Sequence, residues 1–158
     1  MAERLAHKLK AVLQREESNL REITEAQSAE RPKVSGWSRK EELGHLIDSA
    51  VNNHVRFVAA SLQPEFHGPG YEQDAWVRAH GYHQMEWGTI IELWLQHNLL
   101  LVNVILRLPD ERLATPCHIS GGPAVMLGFV IEDYILHMQH HLDHVLARES
   151  ITTYPSQK

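Results

Sequence analysis

Apolar residues recur at three- and four-residue steps over four long stretches of this 158-residue chain, a period that places them together on one face of a helix. Over residues 2–26, Leu5, Leu9, Val12, Leu13, Leu20 and Ile23 share a side with charges between them, which predicts an amphipathic first helix. Pro32 and Gly36 break the pattern over 27–36. Ser38 followed by Glu41 is a capping box, so a second helix opens near Arg39, and it runs to about Leu62, with Pro64 ending it. A third starts between Glu86 and Thr89 and continues to Leu108. Apolar almost all round between Leu99 and Leu108, it is expected to be the most buried of the four. The fourth runs from near Met126 to about Arg148, and the polar tail after Ser150 is expected to fray.

The second and third helices are separated by a crossover from Gln63 to Met85. A connection of that length is uncommon inside a compact domain unless it serves as a lid or rim. Its middle, 71–80, is compatible with a short helix presenting Tyr71 and Trp76, which are read as covering the open end of the core. From Glu111 to Val125 the chain is irregular, and Gly121, Gly122 and Pro123 mark a tight turn, that of a small hairpin. With no sustained strand alternation and no internal repeat, the expected architecture is all-α, a four-helix bundle forming a single domain over residues 1–158.

Composition narrows the partners. A formal charge of −5 without a basic stripe argues against nucleic acid, whose binding rests on clustered Lys and Arg. No uninterrupted apolar run approaches the ~20 residues that span a bilayer, so no membrane is expected. Cys117 stands alone, which excludes an internal disulfide, and the first ten residues lack the apolar core of a signal peptide; a cytoplasmic setting follows as the expectation. Nothing near Cys117 beyond His118 would lower a thiol pKa, and it reads as inert.

Chemistry enters on the fourth helix, where YILHMQHHLDHV at 134–145 sets His137, His140, His141 and His144 in an apolar pattern. Two i,i+4 pairs are possible, His137 with His141 and His140 with His144. Val130, Ile131, Tyr134, Met138, Leu142 and Val145 define the inner face, with His141 inside it and His137 at its margin. His140 turns well away, and His144 lies slightly beyond His137. An inward HxxxH pair is two-thirds of a three-histidine metal site, and the third ligand has to come from another helix. The second helix offers His54, which periodicity places in the apolar face near Ile47 and Val58, and His45, on a polar stripe with Asp48, Asn52 and Arg56. Periodicity alone favours His54.

Three stretches, GWSRKEELGHLIDSAVNNHVRF at 36–57, YEQDAW at 71–76 and LHMQHHLDHV at 136–145, resemble the DinB/YfiT-like superfamily of metalloenzymes. In that family a Trp-Ser or Trp-Thr start leads into a helix whose HL histidine binds metal, and an HxxxH pair on the last helix completes the set. Carried onto this chain, the resemblance implies His45, His137 and His141 as ligands and leaves His54 as a core histidine. It places His7, His67, His80, His83, His97 and His118 at the surface or in the crossover. The likeness is greatest to the YfiT branch, whose relatives include bacillithiol transferases, because Asp48, Asn52 and Arg56-Phe57 fit as well; the polar stripe is then the wall of a cleft.

The resemblance implies a bacterial, cytoplasmic enzyme, a possible homodimer, with a divalent ion, zinc or nickel first and cobalt or iron(II) as others such a site takes. Three neutral imidazoles leave the ion its charge and an open position, at which a water or a thiol loses its proton near neutral pH. The expected activity is transfer of a small thiol onto an electrophile, with Arg56 pairing a substrate carboxylate and Asp48 and Asn52 orienting ligands. A metal-dependent hydrolase and a non-catalytic metal-binding stress-response module are the alternatives.

Overall fold

The computed structural model describes residues 1–32, 36–152 and 154. The first stretch forms α1 (Ala2–Glu22), whose buried residues include Leu5, Leu9, Val12, Leu13 and Leu20. It stops short of the expected end at Ala26 because Thr24 and Gln27 make a reciprocal capping box that starts a separate five-residue helix, α2 (Glu25–Ala29). The break expected over 27–36 thus overlaps α2, and residues 33–35 lie outside the described part. Ser38 caps α3 (Arg39–Leu62) as its spacing with Glu41 predicts. Lys40, almost wholly buried, donates to a Glu25 carboxylate oxygen and to the Met85 carbonyl, tying α2, α3 and the end of the crossover together.

The crossover contains a short strand, β1 (Phe66–Gly68), the expected helix, α4 (Gln73–His80), and a 3-10 turn at Tyr82–Gln84. Then come α5 (Trp87–Leu106), a 3-10 turn at Asp110–Ala114, the hairpin strands β2 (Pro116–Ile119) and β3 (Val125–Met126), and α6 (Leu127–Val145). At the hairpin turn Ser120 and Gly121 both have positive φ, at 56° and 72°, and the Gly122 amide closes back on the Ile119 carbonyl at 3.0 Å. β1 was not legible in the sequence: it adds parallel to β2 with Phe66 opposite Cys117 and His67 opposite His118, a pairing across fifty residues that local pattern cannot announce.

Around the bundle the long helices run in the order α1, α5, α3, α6, each packed on its two neighbours. One continuous core results, in which Leu9, Leu13, Leu43, Leu46, Phe57, Ile90, Trp94, Leu101, Ile105 and Leu127 are fully enclosed. Each such side chain contributes on the order of 1.5–3 kcal/mol by leaving water. At one end Glu16, also fully buried, accepts from both terminal nitrogens of Arg148, at 3.0 and 2.7 Å, and from Arg15 and Asn19. Arg148 in turn donates to the buried Asp143.

One expectation fails here. α5 is not buried all round: Leu93, Leu99, Leu100 and Leu106 are exposed, because only α1 and α3 flank it and its outer face has no described neighbour among the long helices. By length and composition alone this helix could cross a bilayer, yet its other face, with Ile90, Trp94, Leu101 and Ile105, is in the core. The tail after Ser150 is anchored where it is described. The Ile151 amide donates to Asp143 and the Tyr154 hydroxyl to Asp133; residues 153 and 155–158 lie outside the described part.

Candidate metal centre

Helices α3 and α6 converge where a turn of each carries histidine. The Nε2 atoms of His45 and His137 lie 3.2 Å apart, and the His141 ring centroid is 4.6 Å from that of His45 and 4.4 Å from that of His137. One nitrogen from each of the three lies within 4.8 Å of the others. For bonds of about 2.0–2.1 Å at tetrahedral angles, two ligand nitrogens stand about 3.3–3.4 Å apart, so the His45–His137 spacing is that of a pair on one ion.

Burial keeps the His45 and His137 rings neutral, the protonation state a ligand needs. It lowers the pKa of His45 to about 4, helped by the nearby His141 ring, and that of His137 to about 2, helped by His141, His45 and His140. Orientation comes from Glu42, one turn before His45. His141 Nδ1 meets Glu42 Oε1 at 2.5 Å; a carboxylate only accepts, so Nδ1 carries a proton and Nε2 is the nitrogen turned to the other two rings for a metal to take. His144, exposed, shares the same oxygen at 3.2 Å. His45 is held by packing, its ring 4.9 Å from Trp37, and its Nδ1 is buried without a hydrogen-bond partner among the described residues.

A cleft of about 410 Å³ leads to His137. Ser49, Asn53 and Arg56 from α3 line it together with Val130, Asp133 and Tyr134 from α6, while Gly70 and Tyr71 from the crossover and Ile119 and Ser120 from the hairpin form its rim. The crossover therefore walls the cleft, and Tyr71, read from sequence as a core cover, lies tilted against Trp76 with ring centroids 5.4 Å apart and faces this space. The Arg56 guanidinium donates to the Asn53 side chain and the Pro69 carbonyl, with no carboxylate partner among the described residues; burial lowers its pKa. Asp133, one turn before His137, has its pKa raised by burial and accepts from Tyr154.

The remaining expectations divide. Asp48 is fully buried, its pKa raised by burial, and its Oδ1 accepts from Tyr82 at 2.7 Å and His80 at 2.8 Å. Its Oδ2 has no hydrogen-bond partner among the described residues, like His45 Nδ1 one turn away. Asn52 turns back to its own helix, donating to the Asp48 carbonyl at 2.9 Å. His54 is only half-buried and hydrogen-bonds His97 at 3.1 Å, so the core histidine expected there is corrected. The helical phase misled because α3 is covered on two sides: Leu43, Leu46, Phe57 and Ala60 face the core, while His45, Asp48 and Ser49 are buried beneath the crossover and α6. On α6 the order is likewise reversed, His137 being more buried than His141. Cys117 lies enclosed in β2 with its pKa raised by burial.

Sequence reasoning passed over Glu42, Asp133, Ser49 and Asn53. Glu42 and Asp133 were within reach, since a carboxylate three or four residues before a histidine shares its helix face.

Among solved structures the chain is similar to YfiT from Bacillus subtilis, described as a probable metal-dependent hydrolase with an unusual four-helix bundle topology. The TM-score is 0.82 at 18% identity, over 92% of this chain and 84% of that one. No curated protein matches the sequence significantly. The family model described as the DinB superfamily matches residues 8–145, nearly the whole bundle from α1 to the end of α6, and the chain belongs to that superfamily.

Proposed function

We propose that His45, His137 and His141 hold one divalent ion, zinc or nickel, and that the cleft beside it serves transfer of a small anionic thiol onto an electrophile. The observation that carries this reading is the 3.2 Å approach of two buried, neutral imidazole nitrogens at the inner end of a polar cleft. An ion on three imidazoles supplies an open position and lowers the pKa of a thiol or water bound there. The chain's own residues do the rest. Arg56, without an acidic partner among the described residues, takes a substrate carboxylate. Asp133 holds or releases a proton at its carboxyl oxygens beside His137. Glu42 fixes the His141 ring, and Asp48 steadies the turn that carries His45 through Tyr82 and His80. Hydrolysis is the second reading, supported by the description of YfiT.

The test is metal analysis of untagged protein with the His45→Ala and His137→Ala/His141→Ala variants. It is followed by assays with generic electrophiles and a panel of thiols, and with ester and amide substrates. Stoichiometric metal lost from both variants and a thiol-dependent rate lost with it are expected. Full metal retention by the double variant refutes the ligand assignment; a hydrolysis that depends on His141 while thiols accelerate nothing replaces transferase by hydrolase.

A further inference from the structure

We infer that Glu65, His67 and His118 form a second divalent-metal site, separate from the three-histidine centre and placed on the small sheet at the rim of the cleft. The parallel register of β1 and β2 sets His67 directly opposite His118, so both side chains leave the same face of the sheet. Their rings stack with centroids 4.4 Å apart and planes inclined by only 4°. Glu65, the residue before β1, brings Oε1 to 2.6 Å from His118 Nε2 and 3.3 Å from His67 Nε2. One ligand atom from each residue lies within 4.8 Å of the other two.

The hydrogen-bond pattern asks for positive charge at the ring, as a second proton on His118 or as a metal ion. His118 Nδ1 faces the Gly122 carbonyl at 3.4 Å and its Nε2 faces the Glu65 carboxylate, so both nitrogens look at groups that only accept. A neutral ring carries one N–H and satisfies one of them; the other contact sets lone pair against lone pair. With Nδ1–H given to Gly122, Nε2 is free for an ion that also takes the Glu65 oxygen and His67 Nε2. Two imidazoles and a carboxylate select zinc, nickel or copper(II) over magnesium or calcium. His118, set in the strand and pinned at Gly122, is the fixed ligand. His67 and Glu65, with side chains 67% and 49% exposed, turn about their side-chain bonds to bring their lone pairs onto the ion. The ion clamps β1 to β2. Gly70 just beyond β1 and Ile119 and Ser120 at the end of β2 line the cleft mouth, and the Ser120 amide already donates to the Gly68 carbonyl. Metal here therefore stiffens the rim of the cleft.

Zinc binding to the metal-free full chain, followed by equilibrium dialysis and calorimetry, tests this in the wild type, His67→Gln/His118→Gln, His137→Ala/His141→Ala and the four-site combination. The rim variant changes one exposed and one partly buried side chain, and circular dichroism checks its fold. Two equivalents in the wild type, one in each double variant and none in the combination are expected. Zinc should also raise the melting temperature of His137→Ala/His141→Ala, and that rise should vanish in the combination. Equal zinc uptake and equal thermal shift with and without His67 and His118 overturn the inference. Zinc retained in full by His137→Ala/His141→Ala but lost from the rim variant refutes the three-histidine reading and leaves this one standing.

Discussion

Gly44 precedes the first histidine of the site, and a methyl group there would lie 2.1 Å from Tyr82 Cδ2 and 2.3 Å from Cγ. Both are ring atoms of a side chain that is 4% exposed, so the ring has little room to yield. Reaching ordinary contact at 3.4 Å requires Tyr82 to withdraw by roughly 1.3 Å, which breaks its 2.7 Å bond to Asp48. Three terms decide the sign. Replacing a mid-helix glycine by alanine gains about 1 kcal/mol of helix propensity. Overpacking costs about 1–3 kcal/mol, and depriving the buried Asp48 carboxylate of a donor costs about 1–3 kcal/mol more. Gly44→Ala is therefore expected to destabilise by about 1–5 kcal/mol net. In a Tyr82→Ala background the obstruction is gone, and the same change should stabilise by up to about 1 kcal/mol. Urea unfolding followed by far-ultraviolet circular dichroism across the four proteins measures both. A Gly44→Ala protein as stable as wild type, or one with the same penalty in both backgrounds, would show that Tyr82 is not what holds position 44 to glycine.

The Glu16 carboxylate is raised by burial but brought down to about 2 by the hydrogen bonds from Arg148, Arg15 and Asn19, against an ordinary value of 4.5. A depressed folded pKa stabilises above the unfolded value, so on the order of 3 kcal/mol present above pH 4.5 should be lost as pH falls to about 2, and Arg148→Met should flatten that part of the stability profile. Glu42→Gln should leave the fold intact while weakening metal binding by about 10–100-fold, read by competition with a chelating dye; unchanged affinity means Glu42 does not orient His141. His54→Ala removes a half-buried ring and its bond to His97, and a loss of about 1 kcal/mol in thermal unfolding is expected; a loss of several kcal/mol would restore it to the core.

The four long helices were legible because their apolar spacing and caps are local: Ser38 with Glu41 fixed the start of α3 to the residue. Thr24 with Gln27 carries the same signature and marks α2, a signal present but passed over. The strand β1 was not readable, since three residues pair with partners some fifty positions on. Among the histidines, spacing brought His137 and His141 together, but it ranked His54 above His45. The helical wheel assumes that burial means apolar; α3 buries His45, Asp48 and Ser49 beside the cleft, and only the family resemblance pointed to that side. Arg56 was placed by the same stripe, and Asp133, four residues before His137 on the same helix, was a readable signal passed over.

The buried links between α6 and the earlier helices span long loops: His137 meets His45 across 92 residues, and Arg148 meets Glu16 across 132. During synthesis α1, α3 and α5 emerge first and can pair among themselves, leaving an open trough in which Phe57 lacks its Tyr134 contact and Glu16 has no Arg148. Non-local closure of this kind is slow, and the half-built bundle is the species most exposed to aggregation. Arrival of α6 fills the trough, neutralises Glu16 and assembles the histidine cluster in one event. If the proposed ion binds there, its site and the core are completed in the same late step in the life of the nascent chain.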